Sequence, residues 1–250
     1  MDNVMKRIIH IFAVILITIL IATVIALIIL KYNIEGEDNM PFELSKIMVV
    51  SSADGNENEN TDNNKRWNLK VYQNNDIYLE ISKNKNYKDN NEIIDQIIID
   101  NFKIIEAPLK GDIIIYRPTT NEGSIYENTD ENIITTELIY EGKEESSVKS
   151  LKIANQGGLI LFRYTISNLD DLISDDDEIR YDGTLLNKIG IQYSEIKFKV
   201  SFDISIKLKL DKTYTGTVEL DLPAGNILEE GTSSYEKTNL KDVIFKRNLR

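Results

Sequence analysis

The sequence predicts an all-β protein: an antiparallel β-sandwich ectodomain carried by one N-terminal transmembrane helix. Three observations predict this architecture. An uncharged apolar run occupies residues 8–30, about ten segments rich in β-branched and aromatic residues follow it, and the chain contains no cysteine. Short segments of this kind, separated by turn residues, are typical of two-sheet β-domains.

Residues 8–30 predict a helix that stays in the membrane. At about 1.5 Å per residue the run spans roughly 34 Å, slightly more than the ~30 Å hydrocarbon core of a bilayer. A cleaved signal peptide has a shorter apolar centre and ends in a small-x-small cleavage site. Here the run ends in "ALIILKYN". We therefore expect a retained, single-pass signal anchor.

The charges that flank the helix predict its orientation. Lys6 and Arg7 precede it, and acidic residues follow soon after Lys31. Basic flanks tend to stay in the cytoplasm. We expect a short cytoplasmic N-terminus at residues 1–7, a tether at residues 31–41 and an extracytoplasmic domain at residues 42–250. A tether of about ten residues reaches at most ~35 Å, so the domain is expected close to the bilayer.

Composition limits the partners of the outer domain. Removing Lys6, Arg7, Lys31 and Asp2 from the totals of 29 basic and 41 acidic residues leaves 26 and 40, a formal charge of −14. Such a surface repels phosphate backbones, so we expect no nucleic-acid partner. An exported domain without disulfides must be stabilised by its core. The Ile-, Asn- and Lys-rich composition favours the cell envelope of a Gram-positive bacterium.

The first strand signals lie on both sides of a polar segment. "FELSKIMVVSS", residues 42–52, predicts the first strand, and the Asn-rich residues 53–66 predict a mobile polar loop. "RWNLKVYQ" and "DIYLEIS" then predict a hairpin that turns at Asn74-Asn75-Asp76. "IIDQIIIDNFKII" is long enough for a helix, but its isoleucines favour a strand.

The remaining segments complete the predicted sheets. "GDIIIYRP", "NIITTELIYEG", "SSVKSLKIANQ" and "GGLILFRYTIS" each predict a strand, and residues 155–158 predict a turn. Residues 195–210 alternate apolar and polar without a break, which indicates a strand with one buried face. Its length predicts a bend or bulge, and residues 211–213 turn it into the next strand. A short helix is expected at "GTLLNKIG" and a last strand at "DVIFKR".

Carboxylates are the only abundant reactive groups. The chain has no cysteine, and its single histidine, His10, lies in the membrane segment, which excludes Cys–His and Ser–His catalysis in the outer domain. Asp175, Asp176, Asp177 and Glu178 form an acidic cluster. Three interpretations remain open: a solvated loop, which is the usual fate of a charge run, a calcium site, and acid–base catalysis by two carboxylates. No other cofactor is expected.

Aromatic residues offer a second candidate surface. Trp67, Tyr72, Tyr78, Tyr116 and Tyr164 lie on predicted strands. They are candidates for a sugar-stacking platform, although aromatic residues on strands more often pack in a core or across strands.

Several stretches resemble a protein family. These are "KYNIEGEDNMPFELSKIMVVSSADG", "NQGGLILFRY", "YDGTLL" and "LDLPAGNILEEGT". Together they resemble an uncharacterised family of single-pass, membrane-anchored proteins from clostridia and related low-GC Gram-positive bacteria. The resemblance implies an anchor, an envelope location and a single outer domain, and it transfers no catalytic or binding residue.

The sequence leaves three functions open. The leading hypothesis is a non-catalytic protein-interaction or structural module that binds another envelope protein. A calcium- or carbohydrate-binding domain is the alternative, and a glycan hydrolase that uses two carboxylates is the third.

Overall fold

The computed structural model describes residues 2–34, 40–58, 66–88, 91–119, 123–143 and 151–248. The chain is mostly β, with two sheets and one apolar N-terminal helix. Helix α1 (Asp2–Ile34) contains the predicted membrane segment and continues into the predicted tether. Within its section Met5–Lys31, the most apolar 18-residue window has a mean hydropathy of 3.3 and is not buried in the protein, so the helix is long and apolar enough to cross a membrane.

Within the described residues the rest of the chain forms eleven strands, three short α-helices and one turn of 3-10 helix (Asp130–Asn132). The strands are β1 (Phe42–Glu57), β2 (Trp67–Lys83), β3 (Ile94–Glu106), β4 (Asp112–Tyr116), β5 (Leu138–Lys143), β6 (Lys152–Ala154), β7 (Gly158–Ser174), β8 (Phe198–Leu208), β9 (Thr213–Leu222), β10 (Ser233–Lys237) and β11 (Lys246–Arg247). The helices are α2 (Thr184–Lys188), α3 (Tyr193–Ile196) and α4 (Ile227–Glu230).

The strands form two sheets. The first has the order β10-β1-β2-β7-β4, and the second has the order β11-β9-β8-β3-β5-β6. Neighbouring strands are antiparallel except β5 and β6, which are parallel, so the antiparallel prediction is wrong for this pair at the sheet edge.

Side chains of both sheets belong to one hydrophobic cluster. Phe162 on β7 and Phe202 on β8 meet edge to face, with their ring centroids 5.0 Å apart. Phe102 on β3 packs edge to face on Phe162 at 5.7 Å. Apolar burial of this kind is the main stabilising contribution available to a domain without disulfides.

Two predicted loops are parts of strands instead. The predicted hairpin turn at Asn74-Asn75-Asp76 is wrong, because β2 runs through it without interruption. The predicted loop at residues 53–66 is wrong over residues 53–57, which continue β1 and pair with Gln73 to Leu69 of β2. Main-chain pairing satisfies the backbone polar groups of both segments, whatever their side chains. Residues 59–65 of that loop lie outside the described residues.

The predictions for the second half of the chain are closer to the structure. Residues 94–106 form a strand, and β8 and β9 form the predicted hairpin, with Lys207 opposite Thr213. The expected irregularity falls on the partner strand: β8 pairs with β9 without a register shift, whereas its pairing with β3 shifts at three places. One shift lies between Asp100 and Lys103, where Asn101 has a φ of 51°. The short helix predicted within residues 183–190 is α2 (Thr184–Lys188).

Candidate functional site

A polar cleft of about 610 Å³ lies on the outer face of the first sheet. Its floor is made by three neighbouring strands: β1 contributes Asp54 and Asn56, β2 contributes Tyr72 and Asp76, and β7 contributes Arg163. Alternation places these side chains outward, because their neighbours in sequence, such as Ile77 and Phe162, are fully buried. Residues 123–129, which follow β4, form the wall of the cleft.

An ion pair lies at the centre of the floor. Asp76 and Arg163 are directly opposite each other in the β2–β7 ladder. Arg163 donates from Nε to Oδ1 of Asp76 at 2.5 Å and from Nη2 to Oδ2 at 3.0 Å. Burial acts to lower the pKa of Arg163, but the hydrogen bonds and the charge of Asp76 outweigh it and raise that pKa. Both carboxylate oxygens of Asp76 are therefore committed to one guanidinium.

Tyr126 packs over the same guanidinium. The central carbon of Arg163 lies 4.2 Å from the centroid of the Tyr126 ring, a cation–π distance. Tyr126 is 7% exposed. Burial, followed by the charge of Asp76, raises the pKa of its hydroxyl well above the ordinary value. The ring thus fixes one face of Arg163 and ties the wall of the cleft to its floor.

The wall is held by its own hydrogen bonds. The Asn132 amide donates to the Glu127 carbonyl at 3.1 Å and to the Thr129 hydroxyl at 3.0 Å. Two buried polar atoms of the wall, the Tyr126 hydroxyl and Oδ1 of Asn128, have no hydrogen-bond partner within the described part of the chain. Buried polar atoms are normally paired, so these two are exceptions within the wall.

Tyr72 lies at one end of the floor. Its hydroxyl donates to Oδ1 of Asn56 at 3.3 Å. Burial and, next, the negative charge of Asp54 raise the pKa of Tyr72 to about 12. The phenol therefore stays neutral at physiological pH and can donate a hydrogen bond.

Beneath the cleft lies a buried set of polar side chains. Gln73 and Asn75 point toward the core from β2 and exchange amide hydrogen bonds of 2.9 and 2.8 Å. Ser51 donates to Asn75 at 2.7 Å and accepts from the backbone N–H of Ala224, which follows β9, at 2.8 Å. This amide network, defined as Ser51, Gln73 and Asn75, links the floor strands to the end of the second sheet.

The predicted acidic cluster does not form one site. The four side chains of Asp175, Asp176, Asp177 and Glu178 are exposed after β7. Asp177 accepts from the Arg66 guanidinium at 2.5 Å, and Asp176 accepts from Lys188. The hydrogen bonds from Lys188 and Ser174 lower the pKa of Asp176. Within the described residues no three acidic or histidine side chains are placed to share a metal ion, so the geometry gives the calcium hypothesis no support.

The aromatic candidates are spread over different environments. Tyr164 is fully buried in the core, and Tyr116 is 6% exposed. Trp67 lies near the acidic cluster, where its indole N–H donates to the Asp176 carbonyl at 2.8 Å. Only Tyr72 of the five lines the cleft. The five residues therefore do not form one sugar-stacking platform, and the packing that the sequence favoured for aromatic residues on strands is found at Tyr164 and Tyr116.

Sequence reasoning missed the residues that the fold brings together. Asp76 and Arg163 are 87 positions apart, and the strand register alone makes them neighbours. One signal was present for Arg163, which lies between Phe162 and Tyr164 on a strand and therefore belongs to an outward face. Asp76 follows Asn75, so no such pattern marked it. The chain matches no known family model, no curated protein and no solved structure. The family resemblance therefore stays a prediction.

Proposed function

We propose that the protein is a non-catalytic binding module of the bacterial cell envelope, in which a single-pass anchor holds an extracytoplasmic β-sandwich at the membrane. The cleft of this module binds a cationic segment of another envelope protein. The two sheets with a shared core support the sandwich, and the long apolar helix supports the anchor.

The charge of the cleft is the observation that carries this proposal. Among the described residues of its lining, Asp54, Asp76 and Glu127 are acidic and Arg163 is basic. Asp76 neutralises Arg163, so the lining keeps a formal charge of −2. A partner's lysine or arginine side chain complements that charge, and an anionic wall polymer does not.

The arrangement of Asp76 supports binding rather than glycan hydrolysis. A hydrolase needs one carboxyl group that gives up a proton and a second that attacks or activates water. Asp76 holds two charge-assisted hydrogen bonds from Arg163 and is only 18% exposed on its side chain. Its position is therefore fixed by Arg163, and neither carboxylate oxygen is left over to attack or activate water.

Carbohydrate binding is the second candidate, and Tyr72 favours it. Its ring lies in the cleft beside Asn56 and Asp54, whose amide and carboxylate groups are suited to sugar hydroxyls. Charge separates the two candidates, because binding of a neutral glycan does not weaken with salt as binding of a cationic peptide does.

Site-specific photo-cross-linking in intact cells tests the proposal. A photoreactive amino acid replaces Ile125, which lines the cleft and is 54% exposed. The control position is Ile173, which is 49% exposed on β7 and outside the cleft. We expect a protein adduct at position 125 that is absent at position 173.

A charge-neutralised variant sharpens this test. The pair Asp54→Asn and Glu127→Gln should reduce the adduct several-fold, because it removes the charge that attracts the partner. The pair Glu106→Gln and Glu229→Gln removes the same charge elsewhere on the exposed surface and should leave the adduct unchanged. Equal adduct yields at positions 125 and 173 contradict the proposal. So does an adduct yield at position 125 that does not fall when Asp54→Asn and Glu127→Gln are introduced.

A further inference from the structure

The end of the β domain that faces the anchor is defined by several hydrogen bonds. The Asn84 side chain donates to the Met40 carbonyl at 3.0 Å, and its backbone N–H donates to the Pro41 carbonyl at 2.9 Å. The start of β1 and the end of β2 therefore lie together. Met40 follows α1 by only a few residues, so this end is the one that the anchor holds near the bilayer.

The turn between β8 and β9 belongs to the same end. Gly158 at the start of β7 lies opposite Ile81 at the end of β2. Just before it, the Asn155 carbonyl accepts from the Ile94 N–H at 3.0 Å, and the Ile93 carbonyl accepts from the Lys209 N–H at 3.1 Å. These contacts connect the β8–β9 turn to the start of β1 through β7 and β3.

The helix itself approaches this end. Among the elements of the β domain, α1 contacts β11 (Lys246–Arg247). That strand pairs with Tyr214 and Thr215, directly after the β8–β9 turn. The turn and β11 are thus held beside the membrane segment by chain connectivity and by direct contact.

The chemistry of this surface differs from that of the rest of the domain. We define the basal patch as a set of exposed residues from the β8–β9 turn, from β11 and from the segment just before β11. Its members are Lys209, Leu210, Asp211, Ile244, Lys246 and Arg247. Leu210 is 72% exposed at the tip of the turn, and Ile244 is 45% exposed. Three basic residues and one acidic residue give the patch a formal charge of +2, whereas the whole outer domain carries −14.

The basic side chains of the patch are available to a partner. Lys209, Lys246 and Arg247 form no ion pair with any residue in the described ranges. Nearby Lys212 is different, since it donates to the buried carboxylate of Glu92 at 2.5 Å. This combination suits the surface of an anionic bilayer. The unpaired basic side chains can contact lipid phosphates, and the exposed Leu210 can enter the headgroup layer.

We propose that the basal patch contacts the surface of an anionic lipid bilayer and fixes the orientation of the domain on the membrane. This inference rests on the proposed anchoring of α1. The occupant is the bilayer in which the helix is inserted, so binding is intramolecular and needs little intrinsic affinity. Contact at this end leaves the cleft, which is lined by the opposite end of β1, directed away from the lipid.

Depth-dependent fluorescence quenching tests the inference on the full chain. Because the sequence has no cysteine, Leu210→Cys gives one labelling site for an environment-sensitive fluorophore. The matched control is Leu109→Cys, since Leu109 is 77% exposed and its N–H donates to Glu195, just before β8 begins, at the opposite end of that strand. In phosphatidylglycerol-containing vesicles with headgroup-spin-labelled lipid, we expect several-fold stronger quenching at position 210 than at position 109.

Charge reversal tests the lipid chemistry. Lys246→Glu with Arg247→Glu should reduce quenching at position 210 to the level seen in purely zwitterionic vesicles. Lys103→Glu with Lys197→Glu makes the same change of net charge away from the patch and should leave quenching unchanged. Equal quenching at positions 210 and 109 overturns the inference. Quenching at position 210 that is unchanged by Lys246→Glu with Arg247→Glu also overturns it. Extraction of the chain by alkaline carbonate, measured on the same vesicles, would instead contradict the proposed anchor.

Discussion

Asn75 shows how a single side chain can serve both the core and the cleft. It is fully buried on the core-facing side of β2, between Ser51 and Gln73, and its neighbour Asp76 points outward into the cleft. Every hydrogen bond that Asn75 makes therefore also fixes the backbone that carries the ion pair. Fully paired polar groups in a core are tolerated, whereas partly paired ones are costly.

Replacing this amide should destabilise the domain markedly. We expect Asn75→Ala to lower the free energy of unfolding by about 2–4 kcal/mol, because Ser51 and Gln73 lose their buried partners. Guanidinium denaturation of the full chain in detergent, followed by circular dichroism, measures the change. Asn86→Ala, at an exposed position after β2, is the control and should change stability by less than about 0.5 kcal/mol. Similar losses in both variants would contradict the role given to the network.

At the scale of elements, the strands show where sequence patterns suffice and where they fail. The unbroken alternation of residues 195–210 predicted β8, which the structure confirms over residues 198–208. The first predicted positions belong instead to α3, which ends at Ile196, and the last two belong to the turn. The same pattern failed for β2, where Gln73 and Asn75 occupy core-facing positions. Their mutual hydrogen bonds remove the cost of burial, and no local pattern reveals a partner such as Ser51, which lies on another strand.

The candidate site was hidden for a related reason. The acidic cluster was conspicuous because its members are adjacent in sequence. On the surface, however, Asp177 accepts a hydrogen bond from Arg66 and Asp176 accepts one from Lys188. The cleft combines β1, β2, β7 and the segment after β4, and the register of these strands decides which residues meet. Register follows from the packing of whole strands, so it is not encoded in the spacing of a few residues.

The pairing of β3 with β8 contains a repulsion that can be relieved. Asp100 lies directly opposite Asp203. Burial, followed by the charge of Asp203, raises the pKa of Asp100 above 3.8. A carboxyl group with a raised pKa in the folded state contributes stability below its unfolded pKa and loses it as the pH rises through the folded pKa.

We therefore expect Asp100→Asn to stabilise the protein by about 0.5 kcal/mol at neutral pH, as relief of a like-charge cross-strand pair does. The advantage should vanish well below pH 3.8, where the native aspartate is protonated. Denaturation midpoints across the pH range measure this difference. A variant no more stable than the parent at neutral pH would show that the repulsion is already screened.

For the whole molecule, the order of anchor and domain predicts which parts are accessible from outside the cell. We expect a membrane-impermeant maleimide to label Leu109→Cys in intact cells, because Leu109 is highly exposed on the domain that we propose lies outside the cell. Met5→Cys, before the apolar run, should be labelled only after the cells are permeabilised. Labelling of position 5 in intact cells, with labelling of position 109 only after permeabilisation, would place the β domain in the cytoplasm.

β1 connects the two ends of this arrangement. It begins next to the anchor, pairs with β2 along nearly its whole length, and ends at Asp54 and Asn56 in the cleft. A pulling force on the partner that we propose, directed away from the membrane, would act along the axis of β1. The rungs between β1 and β2 lie across that axis, so they resist the load together in shear instead of opening one after another. With the proposed anchor at one end of β1 and the proposed partner at the other, the paired length of β1 and β2 would carry such a pull in shear.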